Sequence, residues 1–149
     1  MTTPITNGNI LTAVNAWITN KTDAETNYGH ISDWDVSAVT DMSGLFYNQS
    51  SFNDDITGWN VSNVTNMNQM FRNASSFDQD IGGWDVSAVT DMNQMFYNAT
   101  QFNQYISDWN VGNVTNMYQM FYNAINFNQD IGGWDVSNVT DMNGMFRNA

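Results

Sequence analysis

A phrase that recurs every 25 residues without a gap limits the possible folds of this chain more than any other feature. Copies begin at Ile31, Ile56, Ile81, Ile106 and Ile131, giving units 31–55, 56–80, 81–105, 106–130 and an incomplete 131–149. Trp34, Trp59, Trp84, Trp109 and Trp134 form one column, and Val36, Val39, Met42 and Phe46 each head another. Every Phe, five of the six Trp and nine of the ten Met fall in such columns, so each copy solves the same packing problem in the same way. The period is too short for a two-helix repeat and lies in the range of leucine-rich repeats and β-helices. A unit of this size cannot bury its own apolar face, so the copies must stack.

Within the third copy, Trp84 and Val86 flank Asp85 in the alternation of a short strand. Val89, Met92, Met95 and Phe96 then fall at i, i+3, i+6 and i+7, the spacing of one helix face. Thr90 stands where an N-cap is wanted, with Asp91 at the positive end of the helix dipole, and Asn98 sits where a left-handed residue would end the helix. Phe102 and Ile106 return the chain to the core. The pattern predicts an α/β fold, a right-handed leucine-rich-repeat-like solenoid of about five coils, with an all-β parallel β-helix as the alternative. Residues 1–30 lie outside the period. Asn9 followed by Ile10, Leu11, Val14, Trp17 and Ile18 predicts an N-capped amphipathic helix, then a loop leading into the first coil, together plugging one end of the core. The last copy breaks off in mid-repeat at MFRNA with no such lid, which reads as a truncated chain, as a fragment of a longer array, or as an end open to pairing, end-to-end self-association among the options.

The phrase WDVSNVTDMNGMF, preceded by FNQDIGG, closely resembles the tandem repeat of BspA-like bacterial surface proteins, and YGHISDWDVSAVTDM resembles the usual start of such arrays. Related copies occur in Mycoplasma and Listeria lipoproteins. The resemblance spans residues 31–149 and implies a leucine-rich-repeat-like solenoid displayed outside the cell, associated with adhesion or partner binding. No lipoprotein signal, wall-sorting tail or anchor is written in these residues, and the N-terminal MTTPITNGNI lacks the pattern of a signal peptide. Surface location is therefore implied by the resemblance alone.

Charge narrows the partners. Fifteen acids against three bases give a net charge of −12, which disfavours phosphate backbones and anionic lipid surfaces. No apolar run approaches a membrane span. The expected partner is thus a protein or glycan, with no nucleic acid and no membrane insertion. The catalytic inventory is thin: one histidine, His30, no cysteine, one glutamate, Glu25, and one lysine, Lys21. A nucleophilic constellation could be built only around His30, and local satisfaction of a junction residue is the simpler reading, so the chain is read as non-catalytic. The Gly82-Gly83 and Gly132-Gly133 pairs open no helix and read as turns rather than phosphate loops. Stacked aspartates could bind calcium, but Asp35, Asp85 and Asp135 alternate with Asn60 and Asn110, so no metal or cofactor is assigned. A threonine ladder (Thr40, Thr65, Thr90, Thr115, Thr140) could order water as ice-binding solenoids do, but capping explains one threonine per copy.

The stronger functional feature is the column Tyr47, Arg72, Tyr97, Tyr122, Arg147, which follows the core Phe and is expected to face outward. Four residues earlier the column Ser43, Asn68, Asn93, Tyr118, Asn143 shares that face, adding Tyr118. Tyr and Arg are the types that most often anchor interfaces, and Tyr47, Arg72, Tyr97, Tyr118, Tyr122 and Arg147 are the candidate partner-binding residues. The sequence thus predicts a recognition or adhesion module, with a structural spacer, or a calcium- or ice-binding solenoid, as competing readings. One further pattern bears on stacking. The pairs Asp35/Asp41, Asn60/Asn66, Asp85/Asp91, Asn110/Asn116 and Asp135/Asp141 alternate strictly. In stacked coils this would separate like charges and place an amide donor between two acceptors.

Overall fold

Two columns of left-handed backbone determine what each coil is. In the computed structural model, which describes residues 1–149, Asn48, Asn73, Asn98, Asn123 and Asn148 have φ between 56° and 62°. Four residues earlier, Gly44, Gln69, Gln94, Gln119 and Gly144 have φ between 50° and 66°. Glycine adopts this region freely and asparagine tolerates it, but no α-helix continues through it. The Met42–Gln49 stretch therefore becomes a chain of turns, in which Leu45, Tyr47 and Gln49 donate to the carbonyls of Met42, Gly44 and Phe46. The alternate amides point along the stack instead. Met42, Gly44, Phe46 and Asn48 donate to the carbonyls of Asn66, Asn68, Met70 and Arg72 in the next coil, at 2.8–2.9 Å. The same four bonds recur from Met67, Met92 and Met117. Parallel bridges join Asp41, Asn66, Asp91, Asn116 and Asp141 in a single column, fixing the register at one repeat per coil.

This corrects the α/β leucine-rich-repeat-like solenoid expected from the sequence, and equally the all-β parallel β-helix. Beyond Asp33 no helix occurs, Trp84–Val86 forms no strand, and the bridges are isolated rather than part of a sheet. Val89, Met92, Met95 and Phe96 are indeed buried. Their i, i+3, i+6, i+7 spacing, however, comes from consecutive short turns, which return to one side as often as a helix does. Thr90 caps no helix: its N–H and hydroxyl both donate to the carbonyl of Thr65, at 2.8 and 3.2 Å.

Aromatic columns fill the core. Phe46, Phe71, Phe96, Phe121 and Phe146 stack with centroids 5.5–5.7 Å apart. Each of the first four is met by the second Phe of its own coil at 3.9–4.1 Å. A buried indole needs an acceptor for its N–H. Trp59, Trp84, Trp109 and Trp134 each find one in the carbonyl of the isoleucine that heads the preceding coil, at 2.9–3.3 Å.

The cap imitates a preceding coil. Helix α1 (Ile10–Thr19) buries Ile10, Ala13, Val14 and Trp17, while Leu11 and Ile18 face outward. A second helix, α2 (Lys21–Tyr28), occupies the segment expected to be a loop, with the Asn20 side chain accepting from the Asp23 N–H. Asn9 precedes α1 without capping it through its side chain, which is held by Thr6 and Pro4. Asn7 Oδ1 accepts from Thr40 N–H at 2.8 Å, standing in for the threonine carbonyl of a coil. The Gly29 carbonyl likewise takes the indole N–H of Trp34, at 2.9 Å. At the opposite end Val136, Met142 and Phe146 are 37%, 39% and 50% exposed, whereas their column mates are exposed by 1% or less.

Candidate functional site

The Tyr/Arg column is positioned by backbone that cannot slide. Each of Arg72, Tyr97, Tyr122 and Arg147 gives its carbonyl to the asparagine N–H of the coil before, at 2.8–2.9 Å. Adjacent coils therefore present these side chains in register. The guanidinium of Arg72 lies between two rings, 5.7 Å from the centroid of Tyr47 and 4.7 Å from that of Tyr97. Tyr97 stacks on Tyr122 at 4.6 Å with the planes 3° apart, and Arg147 lies 5.8 Å from Tyr122. Five of the six candidate residues thus make one continuous stack, held by cation–π and offset ring contacts. Tyr118 is half-buried on the neighbouring column and pairs with none of these rings.

A second layer fixes the arginine. Gln69 donates to Gln94 at 3.1 Å and Gln94 to Gln119 at 2.7 Å, a ladder of side-chain amides on left-handed backbone. Gln94 Oε1 also accepts from Arg72 Nη1. This glutamine column was not read as functional from the sequence, although its recurrence at Gln69, Gln94 and Gln119 between two glycines marks it. Two buried polar atoms beside the stripe, Arg72 Nε and Asn93 Oδ1, make no hydrogen bond. Beside the amides runs a further ladder, in which Asn73 donates to Asn48 and Asn98 to Asn73 at 2.6 and 2.9 Å.

The stripe is also where the free cations are. Lys21 is committed to Asp54 at 2.9 Å in the cap, whereas Arg72 and Arg147 have no carboxylate partner. Burial alone would raise the pKa of Asp54, but hydrogen bonds from Trp17 and Lys21 outweigh it and lower the value.

The aspartate columns do local work. Asp35, Asp85 and Asp135 are held below the ordinary carboxylate pKa, first by the hydroxyls of Ser37, Ser87 and Ser137 and then by the backbone N–H groups of the same serines. Asn60 Oδ1 accepts from Ser62 in the same manner. In the second column Asp41, Asn66 and Asp91 each accept the N–H two residues on. Asn60 and Asn66 therefore use one oxygen as an aspartate would, and the expected amide bridges between neighbouring carboxylates do not form. Stacking in register is real, and the alternation leaves carboxylates in alternate coils.

The other candidates are accounted for structurally. His30 Nδ1 lies 2.8 Å from Ser32 Oγ, and its ring meets Trp17 edge-on at 4.9 Å. The hydroxyls of Thr65, Thr90, Thr115 and Thr140 each donate to the threonine carbonyl of the coil before. No three His, Asp or Glu side chains converge as a metal-binding group, and no helix is long and apolar enough to cross a membrane.

The family model that matches this chain is described as Mycoplasma protein of unknown function, DUF285, and it aligns with residues 12–111 and again with residues 83–149. No curated protein and no solved structure matches the chain.

Proposed function

The chain belongs to the DUF285 family of Mycoplasma proteins, and from that premise we propose that it is a non-catalytic recognition module that presents one face to a protein or glycan at a cell or particle surface. The observation that carries this reading is the Tyr47–Arg72–Tyr97–Tyr122–Arg147 stack. Side chains ordered before binding lose little freedom when a partner arrives, so contacts made to them are retained as affinity. The ring edges and hydroxyls that the stack leaves at the surface suit polar contacts to a sugar or a partner loop, and two guanidiniums without a carboxylate partner offer charge on an otherwise acidic molecule. The resemblance to BspA-like surface repeats and membership in a Mycoplasma family both support display outside the cell.

The test is a screen of the whole chain against a glycan array and a panel of extracellular proteins, repeated with Tyr97→Ala/Tyr122→Ala. Loss of two anchors is expected to weaken a genuine ligand by at least about 30-fold, the effect of a hot spot of about 2 kcal/mol. A ligand bound equally well by the double variant would place recognition elsewhere, and a chain that captures nothing is a spacer.

A further inference from the structure

The distribution of acids over the coil singles out one sector. All fifteen Asp and Glu residues lie outside the stretch from the core Met to the second core Phe, which is 42–52, 67–77, 92–102, 117–127 and 142–149. Both arginines lie inside it, so on a molecule of net charge −12 the cations of the repeats and the acids occupy different sectors. The Tyr/Arg column runs through this acid-free corridor, with the amides of Asn68, Asn73 and Asn98 and the hydroxyl of Tyr118 beside it. Arg72 is prepared there for one kind of contact. Its guanidinium lies between the rings of Tyr47 and Tyr97, Nη1 bonds to Gln94 Oε1, and Nε is buried without a partner. Nη2 is not buried and has no partner within the protein. What a ligand can reach is thus the Nη1–Nη2 end of the group, whose paired N–H donors match the two oxygens of a carboxylate. The side chain is fixed before the ligand arrives, so little freedom is lost on contact.

We propose that the ligand of this face is a glycan bearing an acidic sugar, whose carboxylate seats end-on against Arg72 while its hydroxyls bond to the neighbouring amides and tyrosine edges. The inference rests on the stripe being the recognition face, and adds the chemistry of what it recognises. An acidic protein segment suits the corridor less well. Protein anchors fill pockets, and no cavity is lined by Arg72, Tyr97 or Tyr122. The charge of −12 also repels a dense polyanion. Carboxylates spaced along an otherwise neutral sugar chain avoid much of that repulsion and keep the contact that the guanidinium offers.

The experiment titrates the full chain by calorimetry with three probes: a tetrasaccharide of alternating glucuronate and N-acetylglucosamine, the methyl ester of that tetrasaccharide, and a peptide of alternating Glu and Ser. The acidic tetrasaccharide is expected to bind with a Kd below about 1 mM, and the ester and the peptide at least about tenfold more weakly. Arg72→Gln is expected to weaken the acidic tetrasaccharide at least about tenfold, and Arg72→Lys, which keeps the charge without the fork, to restore only part of the loss. The proposal is overturned if the tetrasaccharide does not saturate up to about 10 mM, or if the ester or the peptide binds as well. It is equally overturned if Arg72→Gln, with its Tm unchanged, binds as the native chain does. A neutral glycan or a protein that binds through Tyr97 and Tyr122 in place of the acidic tetrasaccharide would sink this inference and leave the recognition face standing. Acidic-tetrasaccharide binding that survives both Arg72→Gln and Tyr97→Ala/Tyr122→Ala would sink both.

Discussion

An aspartate or asparagine at positions 35, 60, 85, 110 and 135 contributes through a single oxygen, which accepts from the backbone two residues on. That explains why the sequence tolerates the exchange, and it gives the array an acid sensitivity of known sign. The folded-state pKa values of Asp35, Asp85 and Asp135 lie below the ordinary 3.8, so their contribution to stability is fully present above about pH 4 and is lost as pH falls through the lowered values. Replacing Ser37, Ser87 and Ser137 with Ala is expected to lower Tm near neutral pH and to flatten its fall between about pH 4 and pH 2. An unchanged acid limb in Tm-versus-pH scans would show that these hydroxyls do not hold the carboxylates. Some of this was legible in the residues: asparagine recurring after each core phenylalanine pointed to left-handed backbone. Glutamine at φ 50–58° was not legible, because nothing intrinsic to glutamine favours that region, and its place depends on the neighbouring coils.

For the single coil, the sequence led to the wrong element for a physical reason. Apolar residues three and four apart satisfy a helix and a chain of turns equally. What separates them is where alternate N–H groups go, and this depends on carbonyls 24 residues further along the chain. The close approach of coils is equally invisible from composition, yet it imposes sharp local demands. A Cβ on Gly82 would stand 2.2 Å from the Tyr105 carbonyl, whereas at Gly132, in the same column, its nearest neighbour is the flexible side chain of Asp130 at 3.2 Å. Gly82→Ala is therefore expected to cost about 1–3 kcal/mol in denaturant unfolding, and Gly132→Ala less than about 0.5 kcal/mol. Equal effects would mean that the Tyr105 carbonyl is not what limits the side chain at position 82. The cap shows the converse case. Its first helix was readable from Ile10, Val14 and Trp17, but the substitution of Asn7 for a threonine carbonyl was not, since nothing in the sequence ties residue 7 to residue 40.

Across the whole molecule, the stack itself was the most legible feature, because strict repetition of the Trp, Val, Met and Phe columns has no other economical solution. The Tyr/Arg stripe followed from the same arithmetic: residues 25 apart become neighbours, and the structure brings Arg72 between Tyr47 and Tyr97. The N-terminal end is closed by groups that copy a coil's hydrogen bonds, and in the incomplete last coil the N–H groups of Met142, Gly144, Phe146 and Asn148 make none. Nearest-neighbour arrays of this sort derive their stability from the interfaces between units, so the ladder of alternate amides is the central claim. Residue-resolved amide hydrogen exchange on the free chain tests it most directly. The ladder predicts strong protection at Met67, Gln69, Phe71 and Asn73 and at their equivalents in the third and fourth coils, with rapid exchange at Met142, Gly144, Phe146 and Asn148. Equal protection of the last coil and the inner ones would contradict it, because bonds made within each coil, as in a helix, would not depend on a following neighbour.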